Sequence, residues 1–91
     1  MQQISKMGKE DQLFVQLLYI FHASGMQAMG KVKSPITGKI EKNMEQAKQS
    51  IEMMEMLKEK TKNNLSEELT KAINAFLTEL RLNFADEIKK N

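Results

Sequence analysis

The chain has 91 residues, with eight methionines, one histidine, no cysteine and a formal net charge of +2. That length sets one small domain with a modest core. The missing cysteine removes disulfides and thiolate metal sites, and a charge so close to balance argues against nucleic acid as a partner. A domain this small needs further support, and oligomerisation or docking on a larger protein is the common route that remains.

Residues 1–9 are polar and without periodicity, which predicts a flexible tail. They lack the apolar stretch of a secretory signal, so a cytoplasmic location is expected. A single helical domain should fill 10–91. Its first helix is predicted over about 10–29, with Glu10 and Asp11 at the positive end of the helix dipole and Gly30 just past the other end. The apolar run from Leu13 to Phe21 is too short for a bilayer, which takes ~20 residues. Two apolar stripes mark this helix. The main one carries Leu13, Phe14, Leu17, Leu18, Ile20, Phe21 and Ala28. The second carries Val15, Tyr19, His22 and Met26, at steps of four, three and four. A helix apolar nearly all round is buried on more than one side. Since three helices of one chain are expected to cover one side only, the second stripe is expected to meet a partner. The small residues Ala23, Ser24, Gly25 and Ala28 permit close helix approach.

A loop follows over 31–42. Ser34-Pro35-Ile36-Thr37-Gly38 reads as a turn, in which serine caps, proline presets φ and glycine takes the exit. Lys31, Lys33, Lys39 and Lys42 stand there against Glu41 alone, and Lys31, Lys33 and Lys39 are candidates for contact with an anion or an acidic partner. The ordinary alternative is a solvated loop.

The second helix is predicted over about 43–62. Met44, Ala47, Ile51, Met54 and Leu57 fall on one face, and Asn43 with Gln46 forms a capping-box start. Asn63 suits a left-handed cap. Ser66 then caps a third helix over about 66–88, with Glu67 and Glu68 in its first turn. Leu69, Ala72, Ile73, Phe76, Leu77, Leu80, Phe84 and Ile88 make its apolar face. The fold class is all-α: three helices, with the second and third as an antiparallel hairpin because only a few residues join them. Ile51, Met54, Leu57, Ile73, Phe76 and Leu80 should form the main core.

Several segments together resemble the bacterial domain-of-unknown-function family 1844. They are Pro35-Ile36-Thr37-Gly38-Lys39, Ala47-Lys48, Ile51, Met54, Leu57, Lys60-Thr61-Lys62, Asn64-Leu65 with Ser66-Glu67-Glu68, and Leu80-Arg81 before Phe84. The resemblance spans roughly Leu13 to Phe84. Asn63 stands where a glycine is expected, Glu52 where an aspartate is expected, and Ala85 where members read Tyr-Val after the phenylalanine. The resemblance implies an all-helical fold and carries no established activity.

The residues offer little to catalysis. His22 has no second histidine or cysteine to act with, and a nucleophile or general base needs a partnered group. Met29-Gly30-Lys31 and Thr37-Gly38-Lys39 lack the spaced glycines of a phosphate loop. No enzyme activity, cofactor or metal is expected. Met53 and Met56 point away from the core face of the second helix, and methionine is over-used at adaptable binding surfaces. The expected function is therefore a non-catalytic helical interaction module. It would self-associate or act as a small accessory subunit bridging larger proteins, with Val15, Tyr19, His22, Met26, Met53 and Met56 as the interface. A seat on the cytoplasmic face of a membrane complex, photosynthetic or respiratory, fits the same reading. The rival is peripheral membrane association through helix one and the basic loop.

Overall fold

The computed structural model describes residues 8–90. Three helices account for its regular structure: α1 (Lys9–Ala28), α2 (Met44–Lys60) and α3 (Glu67–Lys90). The tail expected over 1–9 lies outside the described residues up to position 7, and Lys9 already belongs to α1.

The helix ends follow local chemistry. α1 starts from Gly8 without a side-chain cap and carries Glu10 and Asp11 in its first turn, where the dipole favours negative charge. It ends in a Schellman motif: the Lys31 N–H donates to the Met26 carbonyl at 2.9 Å and the Gly30 N–H to Gln27 at 3.0 Å. Gly30 takes the left-handed conformation this requires, at φ +81°. At the start of α2 the Asn43 side chain accepts from the Gln46 N–H at 3.1 Å. Thr61 closes α2 by donating its hydroxyl to the Leu57 carbonyl at 2.7 Å, and Asn63 turns the chain at φ +68°, a conformation asparagine tolerates. Ser66 accepts from the Leu69 N–H at 3.2 Å to start α3.

Each helix packs against both of the others. Leu18, Met29, Met54, Ile73, Leu77 and Leu80 have essentially no exposed surface, and each such side chain contributes ~1.5–3 kcal/mol by leaving water. Ala47 and Ile51 are also buried. Leu57 and Phe76, expected in the core, are half-buried and pack against it. Met29 is an addition to the expected core, carried inward by the turn that ends α1. Gly25 marks the closest approach. A Cβ there would stand 2.8 Å from Leu80 Cδ2 on α3 and 3.4 Å from Ser50 Cβ on α2, so α1 is wedged between both neighbours at the position where it has no side chain.

The face assigned to α3 needs one correction. Ile88 is exposed and Glu87 is buried. Continuing the inward row from Leu80 through Phe84, a step of three reaches Glu87 and a step of four reaches Ile88. The helix presents Glu87 because amines wait for it there.

Candidate functional site

The second stripe of α1 meets this chain's own α3 through Tyr19 and His22. Val15 is buried, while His22 and Met26 are half-buried. The Tyr19 and His22 rings lie 5.1 and 5.0 Å from the ring of Phe76. His22 Nε2 sits 3.2 Å from Glu79 Oε1, yet it is shielded from water and makes no aligned hydrogen bond. This corrects the expectation of another chain for Val15, His22 and Met26, which are sheltered within this chain; the expectation for Tyr19 is not touched. The physical reason is that α1 contacts both α2 and α3, and two contact lines need a wide apolar arc. Tyr19 remains partly exposed at the edge of that arc.

The outward side of α1 lies elsewhere. Leu13, Gln16, Ile20 and Ala23 are all exposed, at steps of three, four and three, so they form one helical line. Leu13 keeps 53% and Ile20 62% of its surface in water, although the sequence places both in the buried stripe. On α2, Met53 and Met56 stand outward with 46% and 43% exposed. Four large apolar side chains on two neighbouring helices thus lie open.

The basic loop divides in two. Lys31 is held within the molecule, its amine 2.9 Å from Asp86 Oδ2 and 2.6 Å from Glu87 Oε2. Lys42 reaches Glu87 Oε1 at 2.8 Å and Lys90 reaches Glu87 Oε2 at 3.0 Å. Hydrogen bonds from Lys31, then Lys42 and Lys90, hold the Glu87 carboxyl down at about 2. Asp86 is lowered chiefly by Lys31, and the Lys31 amine is raised in turn by Glu87 and Asp86. This corrects Lys31 as a candidate for outside contact: its charge is spent fastening the loop to α3. Lys33 and Lys39 stay exposed and form no ion pair among the described residues.

A shallow surface pocket of about 290 Å³ lies at the α2–α3 turn, lined by Lys58, Thr61, Lys62, Asn63, Leu65, Thr70 and Ile73. It sits at the low edge of the ~300–1,000 Å³ typical of small-molecule sites. Its threonine hydroxyls already donate to the Leu57 and Ser66 carbonyls. Among the described residues, no three histidine, cysteine or acidic side chains gather in a way that could hold a metal ion. No described helix is long and apolar enough to cross a membrane. What the arrangement offers is contact surface: the open apolar side chains of α1 and α2, and a basic loop held in place.

The family model described as Domain of unknown function (DUF1844) matches residues 11–86. No curated protein and no solved structure matches the chain.

Proposed function

Given that the chain belongs to the family of the domain of unknown function DUF1844, a description that names no activity, we propose a role read from its surface. It is a non-catalytic helical interaction module, self-associating or acting as a small accessory subunit between larger proteins. The observation that carries this reading is the exposure of four large apolar side chains, Leu13 and Ile20 on α1 and Met53 and Met56 on α2. Leu13 and Ile20 share one line of α1, and Met53 and Met56 stand one turn apart on α2, so each pair is a short apolar strip of the kind that marks an interaction site when a partner is available. Methionine adapts its shape to a partner at low cost. An accessory place on the cytoplasmic face of a membrane complex belongs to the same proposal.

The test is sedimentation of the wild type and of the Leu13→Glu/Ile20→Glu double variant, with helicity followed by circular dichroism. A charge placed in a desolvated contact is strongly unfavourable, and a hot-spot loss is ~2 kcal/mol or more, roughly a thirtyfold weakening. We expect association to fall by that factor while helicity stays unchanged. A wild type that stays monomeric at high concentration would remove self-association. Capture of the same partners from native cells by both proteins would then overturn the α1–α2 face as an interface. Flotation of the wild type with liposomes, lost in the double variant, would favour the membrane reading instead.

A further inference from the structure

The loop between α1 and α2 is fixed at every level. Its ends are pinned where the Lys31 N–H meets the Met26 carbonyl and the Asn43 N–H meets the Ala28 carbonyl at 2.7 Å. Lys31 and Lys42 clamp it to the buried carboxylate of Glu87. In between, Ser34 is buried and organises the turn. Its Oγ accepts from the Ile36 N–H at 3.2 Å, its carbonyl accepts from the Gly38 N–H at 2.8 Å, and its own N–H donates to the Lys39 carbonyl at 2.8 Å. Thr37 adds a hydroxyl bond to Glu41 Oε1 at 2.7 Å. At the tip of this braced turn Ile36 keeps 92% of its surface in water. An aliphatic side chain so placed contributes almost nothing to the fold.

We propose that this turn is a preorganised knob that seats Ile36 in an apolar pocket of a partner protein, with carboxylates on the pocket rim facing Lys33 and Lys39. A backbone already held in its bound shape loses little freedom on docking. Among the described residues Lys31 and Lys42 are paired with α3 while Lys33 and Lys39 have no ion pair, and against Glu41 alone they leave the turn net positive, which sets the sign of the rim. An anionic bilayer fits less well. Recognition of acidic lipid takes clusters of about four to eight basic residues, and stable anchoring takes a second signal beyond one short apolar group. The pocket at the α2–α3 turn of a second copy is rimmed by Lys58 and Lys62, the same sign as the knob, so that pocket would not take it. The inference shares with the proposed function only the premise of a protein partner and uses a different surface.

The test places a photo-crosslinking amino acid at position 36 of the full chain in its native cells, with position 82 on the exposed back of α3 as the control. The protein crosslinked from 36 and not from 82 is then purified and titrated with wild type, Ile36→Asp, Lys33→Gln/Lys39→Gln and Leu13→Glu/Ile20→Glu. Ile36→Asp should weaken binding at least tenfold with an unchanged melting midpoint, and the lysine pair should show a smaller loss that shrinks as salt rises. Equal binding by Ile36→Asp overturns the proposal. So does the absence of a specific crosslink, a crosslink to a second copy alone, or flotation on phosphatidylserine vesicles that depends on Ile36. Binding lost in the α1 variant but kept in Ile36→Asp overturns the knob and leaves the α1–α2 face standing.

Discussion

Glu87 shows how a charged residue can hold a place in the apolar row of a helix. It follows Leu80 and Phe84 on the inward side of α3, and three lysine amines from the loop and from its own last turn surround its carboxylate. Breaking such a group by removing its anion leaves amines without their partner, so Glu87→Gln should destabilise the fold near neutral pH. The sign with pH is fixed by the direction of the shift. The carboxyl is lowered from an ordinary 4.5 to about 2, so its contribution is fully present above about pH 4.5 and is lost as pH falls from there toward about 2. Asp86 is lowered as well and acts in the same direction. Urea midpoints of wild type and Glu87→Gln at about pH 7, 4 and 2.5 check this: the gap between them should be widest at neutral pH and close as the solution is acidified. A gap of constant width would mean that the carboxylate is not what the lysines stabilise. The burial of Glu87 was not legible in the sequence, because Asp86, Glu87, Lys89 and Lys90 read as an ordinary solvated helix end until the loop lysines are placed beside them.

Among the elements, α1 is used on two sides at once. Its pairing with α3 runs through Tyr19, His22 and Phe76, and its pairing with both neighbours closes at Gly25. Gly25→Ala puts a methyl group 2.8 Å from Leu80 Cδ2, inside contact distance of a side chain that is itself fully buried. Overpacking of this kind costs ~1–3 kcal/mol, and alanine returns ~1 kcal/mol of helix propensity, so a net loss of about 1 kcal/mol is expected. For a domain of this size that is a fall of roughly 4–8 °C in the melting midpoint. Calorimetry of the variant measures it. A raised midpoint would show that Leu80 can turn aside and that the close approach of the helices is not set by Gly25.

At the scale of the molecule, the three mutual helix contacts leave no element able to detach without uncovering Leu18, Met54 or Leu80. Unfolding should therefore be a single cooperative transition, as is usual for small domains. The chain has one tyrosine and no tryptophan, so the signal of Tyr19 reports α1 against α3 while far-ultraviolet circular dichroism reports all three helices. The two melting curves should coincide. A tyrosine signal that changes well below the helical transition would show α1 leaving first.

The sequence by itself determined the helices and their ends. Asn43, Asn63, Ser66 and Gly30 act within a few residues of themselves, through hydrogen bonds and φ preferences that need no tertiary partner. The periodic apolar residues of α2 likewise marked its inward face, because only one arc of that helix is apolar. Only the tertiary structure decided which side of α1 faces outward. An apolar arc that runs nearly all round a helix has no internal reference, so Leu13 and Ile20 could be exchanged for Val15 and His22 until α2 and α3 were set against it. The division of the loop lysines was decided the same way: charge pairing acts through space between Lys31 and Glu87, which are far apart along the chain, and spacing within the loop carries no trace of it.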